Sequence, residues 1–228
     1  MLNRINVEGF KKVQDDYRKD RSKCKKTIEL NGRWRLEADY GPQFEVKLKT
    51  ERAGEITVQT DETIILGGGG TAVHPVHYCM AGFAGCFSAA FAKWAAMRGI
   101  ELKRYDIKIS ADIDLTTGFG IEDGIDAVED YKLEVTVESD ANLDVLNEIL
   151  EDTKNRCFCM YCIQTPITPK IELIKEFSEQ EQEVIHFICP TCFKKSMIFL
   201  DDNTQVCQEC GTTGFFVLNP VTQKVSLK

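Results

Sequence analysis

The sequence predicts an α+β fold in which antiparallel strands enclose a long buried helix. Three observations favour this class. Apolar and polar residues alternate in several stretches, as they do in half-buried strands. One long segment is almost wholly apolar or small, which is typical of a helix buried on most sides. A further segment carries apolar residues at steps of three and four, the period of a helix with one core-facing side.

The first half of the chain contains the clearest run of alternating residues. Apolar and polar residues alternate over residues 27–66, and Gly-Pro and Ala-Gly breaks interrupt the alternation. This pattern predicts an antiparallel meander of three or more strands. The run Gly67–Gly70 then predicts a flexible loop. A phosphate-cradling loop is the weaker interpretation, because no Gly-Lys-Ser/Thr follows. Later alternation predicts strands over about 105–115 and 131–137, and a last strand is predicted over 171–174.

Two helices are predicted, and each carries a cysteine. The longer runs from about Pro75 to Arg98, with Gly99 suited to its C-terminal cap. Its many small residues let another backbone approach closely, so it needs a sheet around it or a partner subunit against it. The second spans about Asn142 to Arg156, with Asp140 or Asn142 as the predicted cap. Cys157 continues the core-facing stripe of this helix.

Bulk properties narrow the classes of function. The 228 residues carry a formal charge of −8, which argues against a general nucleic-acid surface. Residues 1–26 form a locally basic arm, interpreted as a solvated helix or as a docking arm for an acidic partner or nucleic acid. No apolar run has the length of a signal peptide or a membrane span, so we expect a cytoplasmic protein. There, ten cysteines are more often redox groups or metal ligands than structural disulfides.

The C-terminal region carries the most specific metal motif. After a polar linker at residues 175–183, residues 184–228 contain two Cys-x-x-Cys knuckles, which predict a zinc ribbon. Metal binding would supply the folding free energy of so short a module. A rubredoxin-like iron site and four reduced structural cysteines are the alternatives. The four predicted zinc ligands are Cys189, Cys192, Cys207 and Cys210.

The larger domain resembles the OsmC/Ohr family over roughly residues 27–174. The segment His74-Pro-Val-His-Tyr-Cys-Met-Ala-Gly-Phe-Ala-Gly-Cys86-Phe87-Ser88 is similar to the family signature Asn-Pro-Glu-x-x-x-x-Ala-Gly-x-Ala-x-Cys-Phe. The segment Asn155-Arg-Cys157 resembles the second cysteine motif of the family, where a proline usually follows. The order of predicted elements agrees with that family throughout.

This resemblance implies an intertwined homodimer in which long central helices are clasped by antiparallel sheets. It also implies an organic hydroperoxide reductase with Cys86 as the peroxidatic thiol and Cys157 as the resolving thiol. The partners would be a small-molecule hydroperoxide and a dithiol reductant.

Zinc in the ribbon would be the only cofactor, and the ribbon itself is expected to contact a protein or to serve a structural role.

The sequence departs from the family pattern at two places. Val76 stands where the signature has Glu, and Phe158 stands in place of the usual proline. In the peroxidases an Arg held by that Glu activates the thiol; the candidates for this Arg are Arg33, Arg35 and Arg52.

Additional ligand-like side chains surround the predicted thiol pair. They are His74, His77, Cys79, Cys159 and Cys162. They are interpreted as small apolar fillers and local hydrogen-bonding groups, as a metal site, or as members of a disulfide exchange among Cys157, Cys159 and Cys162. Cys79 is also a rival reactive thiol. Two functions are therefore kept beside the peroxidase: a non-catalytic binding protein with a partner-recruiting ribbon, and a metal or redox sensor.

Overall fold

A computed structural model describes residues 1–174 in full, and beyond them the backbone of six short strands. The chain divides into two compact units, Met1–Ile167 and Thr168–Lys228. The six strands are β6 (Ile185–Ile188), β7 (Lys195–Ile198), β8 (Gln205–Val206), β9 (Thr213–Gly214), β10 (Phe216–Leu218) and β11 (Val225–Leu227). They pair as three antiparallel ladders, β6 with β7, β8 with β9 and β10 with β11.

The basic N-terminal segment forms helix α1 (Val7–Lys19), which is docked on the domain. Asn3 adopts a left-handed backbone conformation with φ of 49°. Its side-chain amide donates to the carbonyl of Ile100 at 2.9 Å, and its side-chain oxygen accepts from the amide of Leu102 at 2.9 Å. Phe10 packs edge-on against Trp94, with ring centroids 6.2 Å apart. The segment is therefore tied to the end of the long helix and to the loop after it.

A three-stranded antiparallel sheet confirms the predicted meander. Its strands are β1 (Gly32–Trp34), β2 (Phe44–Thr50) and β3 (Gly54–Thr60), in the order β1-β2-β3. Leu48 pairs with Ile56 across the sheet. These two side chains and Trp34 are 37%, 47% and 54% exposed, so part of the sheet's apolar surface is not covered within the described chain.

The glycine run closes on itself after β3. The amides of Gly68 and Gly70 donate to the carbonyls of Thr63 and Glu62, at 3.0 Å each. A Cβ at Gly68 would lie 2.1 Å from the carbonyl oxygen of Glu62, so only glycine fits there. Because these amides already have partners within the loop, they are not available to cradle a phosphate.

The long predicted helix and the late hairpin form the centre of the first unit. Helix α2 (Pro75–Met97) ends before Gly99, whose φ is +75°. Strands β4 (Arg104–Ile113) and β5 (Val128–Glu138) pair along their length as an antiparallel hairpin. Their inward-facing apolar residues pack against the buried side of α2; they are Ile107, Ile109, Tyr131, Leu133 and Val135.

Two consecutive helices close the unit. Helix α3 (Leu143–Arg156) is capped by Asn142, whose side-chain oxygen accepts from Val145 at 2.9 Å. Helix α4 (Phe158–Gln164) follows after a single intervening residue, Cys157. The predicted last strand at 171–174 is wrong, because residues 166–174 form neither helix nor strand. Within the described residues, no helix combines the length and apolar character needed to span a membrane.

Candidate functional site

Helix α2 fixes the position of Cys86. The helix begins after His74, whose ring nitrogen Nδ1 accepts from the amide of Val76 at 3.2 Å. Phe83 and Phe87 flank Cys86 in sequence and are 4% and 2% exposed, because they face the β4–β5 hairpin. Cys86 lies at the edge of this buried face and is half-buried. Its thiol is thus held by an uninterrupted helix at the boundary between core and surface.

Cys157 occupies the break between α3 and α4. Its backbone is extended, with φ of −85° and ψ of 119°, so it ends one helix and precedes the next. Its amide still donates to Thr153 at 2.9 Å, and its carbonyl accepts from Tyr161 at 3.0 Å. The side chain is 2% exposed. Both backbone groups are therefore satisfied while the thiol points into the core.

The two sulfurs are in contact. The thiol of Cys157 lies 3.5 Å from Sγ of Cys86 and donates a hydrogen bond to it. The surrounding walls are apolar and come from α2, the β4–β5 hairpin and the α3–α4 region. This separation is longer than a disulfide bond of about 2.05 Å, yet a small movement of either side chain closes it. The arrangement can therefore support reversible thiol–disulfide chemistry.

The two thiols have pKa shifts in opposite directions. Burial disfavours the Cys86 thiolate, but hydrogen bonds from the Cys159 amide, the thiols of Cys157 and Cys159 and the Phe158 amide outweigh it, so the pKa of Cys86 is lowered. Burial raises the pKa of Cys157, and the adjacent Cys86 raises it further. Cys86 is therefore the thiol that ionises first, and Cys157 is the one that keeps its proton.

Cys159 extends the sulfur cluster along α4. Its Sγ lies 3.9 Å from the carbonyl oxygen of Gly82, one helical turn before Cys86. Burial first, and then the neighbouring Cys86, raise the pKa of Cys159 to about 11. Cys162 lies three residues further along α4 and is exposed. The sequence placed both cysteines near the predicted thiol pair through the dense spacing Cys-x-Cys-x-x-Cys, but it did not distinguish the half-buried Cys159 from the exposed Cys162.

The backbone amides of Phe158 and Cys159 were not predicted as site groups. They favour the Cys86 thiolate where the family resemblance suggested an Arg. Among the candidates for that Arg, Arg33 pairs with Glu45 at 2.9 Å and with Glu37 at 3.1 Å. The Arg35 guanidinium donates to the carbonyl of Pro42 at 3.0 Å. Neither is among the groups that shift the pKa of Cys86.

His74 and His77 lie at the start of α2. Besides capping the helix, His74 places Nε2 2.9 Å from a carboxylate oxygen of Glu62, and its ring stacks edge-on against His77 at 6.1 Å. Cys79 is exposed on the same helix. Within residues 1–174, no three metal-ligating side chains cluster. The four predicted zinc ligands, Cys189, Cys192, Cys207 and Cys210, lie outside the described residues.

Comparison with protein families supports the resemblance. Residues 67–172 match the model of the family described as OsmC-like protein. This segment is just under half of the chain and contains both Cys86 and Cys157. No curated protein matches the chain.

Several solved structures are similar to about three fifths of this chain. An OsmC-like protein from Mycoplasma pneumoniae is 13% identical, with a TM-score of 0.47, over 61% of this chain and 88% of its own. An organic hydroperoxide resistance protein OsmC from Legionella pneumophila is 19% identical, with a TM-score of 0.41, over 61% and 92%. An OsmC-like protein of unknown function from Vibrio cholerae is 12% identical, with a TM-score of 0.42, over 61% and 96%.

Proposed function

We propose that this chain is an OsmC-like thiol-dependent redox protein that reduces organic hydroperoxides through a Cys86/Cys157 cycle. The observation that carries the proposal is the contact between the two sulfurs, 3.5 Å apart in an apolar crevice. The match of residues 67–172 to the OsmC-like family supports it.

The cycle begins with attack of the Cys86 thiolate on one oxygen of the peroxide. The O–O bond breaks, two electrons pass from sulfur to the peroxide, and the alkoxide leaves as an alcohol after taking a proton. Cys86 is then a sulfenic acid. The Cys157 sulfur attacks it, water leaves, and a disulfide joins the two helical regions. A dithiol reductant returns both thiols to the reduced state.

The roles of the two thiols follow from their surroundings. The lowered pKa of Cys86 supplies the thiolate nucleophile, and its half-buried position leaves an approach for a small substrate. Cys157 is buried and protonated, so it cannot compete for peroxide, yet it lies beside the sulfur that becomes oxidised. The apolar walls favour an alkyl hydroperoxide over hydrogen peroxide.

The decisive experiment compares two cysteines on the same helix. Cys86→Ser should reduce consumption of cumene hydroperoxide with dithiothreitol at least 100-fold. Cys79→Ser, an exposed thiol seven residues earlier, should stay within twofold of the wild type. Mass spectrometry after one equivalent of peroxide should find the Cys86–Cys157 disulfide. Unchanged consumption in the Cys86→Ser protein would overturn the proposal and favour a non-catalytic binding protein.

We also propose that the protein is a homodimer. Several small residues of α2 lie exposed within one chain: Ala81, Gly82, Gly85 and Ala89. A Cβ built at Gly82 or Gly85 meets no atom within 4 Å. If a second copy packs on this face, Gly85→Leu should convert a dimer to a monomer in light scattering, whereas Ala substitution at the exposed Lys49 should not. A wild-type mass of one chain would refute the dimer.

We propose a structural Zn²⁺ in the C-terminal module. Four thiolates in two Cys-x-x-Cys knuckles form a donor set that suits tetrahedral zinc. The reduced protein should contain one zinc per chain by elemental analysis, and the Cys207→Ser/Cys210→Ser protein should lose it. Iron in place of zinc would indicate a rubredoxin-like site instead. Metal retained in the double variant would place the site elsewhere.

A further inference from the structure

Helix α4 carries a second pair of cysteines between the sulfur crevice and the surface. Cys86 and Cys159 both pack against the core cluster that contains Cys157, and Sγ of Cys159 lies 3.9 Å from the carbonyl of Gly82. Cys162 follows three residues later on the same helix and is exposed. Residues three apart on a helix are neighbours. The four thiols therefore form a series from the buried Cys157, through the half-buried Cys86 and Cys159, to the exposed Cys162.

The buried end of this series is difficult for a large reductant to reach. Cys157 is 2% exposed, and Cys86 is half-buried where it packs against the core cluster that contains Cys157. Thiol–disulfide exchange needs an approach of the attacking sulfur to a disulfide sulfur, so access limits its rate. A small peroxide can therefore reach the reduced Cys86. Once the Cys86–Cys157 disulfide has formed, a protein dithiol reaches it poorly.

We propose that Cys159 and Cys162 form a relay dithiol that carries oxidising equivalents from the Cys86–Cys157 disulfide to the surface, where a dithiol reductant removes them. This inference rests on the proposed function, because it takes that disulfide as its starting point. It assigns the exposed Cys162 as the place where the reductant acts.

The relay consists of two balanced exchanges. Cys159, as a thiolate, attacks Sγ of Cys86; the Cys86–Cys159 bond forms, the Cys86–Cys157 bond breaks, and Cys157 leaves and takes a proton. Cys162, as a thiolate, then attacks Sγ of Cys159; the Cys159–Cys162 bond forms and Cys86 leaves as a thiolate. Two electrons pass from the α4 dithiol to the first pair, which is again reduced. The external dithiol finally reduces the Cys159–Cys162 disulfide and is itself oxidised.

The order of these steps agrees with the ionisation of the thiols. The Cys86 thiolate contributes to the raised pKa of Cys159, and this contribution disappears once Cys86 is in a disulfide, so Cys159 ionises more readily after the first pair is oxidised. The lowered pKa of Cys86 also makes it a good leaving group in the second exchange.

The spacing on α4 allows the final disulfide after a small adjustment. Cβ atoms three residues apart on a helix are about 5–6 Å apart. A disulfide requires about 3.5–4.5 Å between them. Helix α4 is only seven residues long, so tightening one turn disturbs few hydrogen bonds.

The test maps disulfides in the full-length reduced protein over time. After one equivalent of cumene hydroperoxide, we expect the Cys86–Cys157 disulfide first and more than half of it transferred to Cys159–Cys162 later. In Cys162→Ser protein the relay should stall, and a Cys86–Cys159 disulfide should accumulate. Cys24→Ser removes another exposed thiol outside the cluster and should leave this transfer as in the wild type. Reduction by a thioredoxin-type protein dithiol should slow at least tenfold in Cys162→Ser protein.

Two outcomes separate this inference from the proposed function. If Cys86–Cys157 forms with peroxide and persists without a Cys159–Cys162 disulfide, the relay is wrong and the peroxidase stands. If peroxide leaves Cys86 unoxidised, the proposed function is wrong, and the thiol oxidant diamide replaces peroxide as the source of the disulfide. With diamide, Cys162→Ser protein must still trap Cys86–Cys159; a disulfide confined to Cys86–Cys157 or joined to Cys79 overturns the relay.

Discussion

The two helical regions that supply the thiols are built in opposite ways. Helix α2 is continuous over 23 residues and carries Cys86 within it. The α3–α4 region is broken at Cys157, which belongs to neither helix. A continuous helix fixes a thiol but uses its backbone amides internally, whereas a break frees amides for other partners. In the proposed cycle, the continuous helix therefore supplies the nucleophile, and the broken region supplies both the amides that lower its pKa and the resolving thiol.

Among changes to the broken region and its packing, the largest effect is expected from removing the thiol of Cys157. Cys157→Ser keeps a hydroxyl that donates to Cys86 but cannot form a disulfide, so turnover with a dithiol reductant should fall at least tenfold. Excess peroxide should then drive Cys86 to the sulfinic acid. Mass spectrometry of the Cys86 peptide measures this; wild-type protein is the reference, and equal sulfinic acid in both proteins would argue against resolution by Cys157.

The packing that holds the two regions together can be weakened without touching a thiol. Ile149 of α3 is 0% exposed and packs against Phe91 and Ala95 of α2. Ile149→Ala should reduce the free energy of unfolding by about 2–5 kcal/mol. Leu143→Ala on the same helix, where the side chain is 70% exposed, should change it by less than about 0.5 kcal/mol. Denaturant unfolding of reduced protein measures both, and equal losses would contradict this packing.

A pair of substitutions at Phe158 tests whether the backbone amide that follows the break lowers the pKa of Cys86. Phe158 is 82% exposed, but its amide helps to lower the pKa of Cys86. Phe158→Pro removes that N–H at a helical position that tolerates proline, and Cys157 already has the extended backbone that a following proline requires. The pKa of Cys86 should therefore rise, and alkylation at pH 7 should slow.

Phe158→Ala is the matched control, because it removes the ring and keeps the amide. The pH profile of iodoacetamide alkylation, followed on the Cys86 peptide, should move to higher pH in the proline variant only. A thiolate forms as pH rises, so a lower pKa keeps the wild-type reaction active at pH values where the proline variant is slower. If both variants behave alike, the amide does not activate Cys86.

The smallest effect concerns the far end of the rigid helix. Asn3 ties the N-terminal segment to residues after α2 through two hydrogen bonds of 2.9 Å and adopts φ of 49°. Asn3→Ala loses both bonds and strains the backbone, so it should cost about 1–2 kcal/mol of the free energy of unfolding. Asn3→Gly loses the bonds without the strain and should cost less. Thermal unfolding ranks the two, and the reverse order would contradict this account.

Sequence reasoning succeeded where one local pattern dominated. The apolar segment with Pro75 and Gly99 at its ends predicted α2 within a residue or two, and alternation predicted the β4–β5 hairpin. It missed α4, because the run Phe158–Gln164 is too short and too apolar to show a helical period. It wrongly predicted a strand at 171–174, since a short group of apolar residues does not supply a pairing partner.

The candidate site was accessible to the sequence only in part. Cys86 stands on an almost wholly apolar helix and Cys157 on an apolar stripe, so the family resemblance could place both at a shared core position. The 3.5 Å separation of their sulfurs depends on how α2 packs against α3, which no local pattern encodes. The amides of Phe158 and Cys159 help to lower the pKa of Cys86 next to the break at Cys157, and that break has no signature in side-chain type.

The closeness of the two sulfurs has a practical consequence for studies of the reaction. A sulfenic acid formed on Cys86 has its captor already in van der Waals range, so the intermediate should be short-lived. Dicarbonyl reagents that label sulfenic acids should give little signal in the wild type and a strong one once Cys157 is removed. For the same reason, the protein should withstand a sudden excess of peroxide that would inactivate a thiol enzyme whose second sulfur must travel to reach the first.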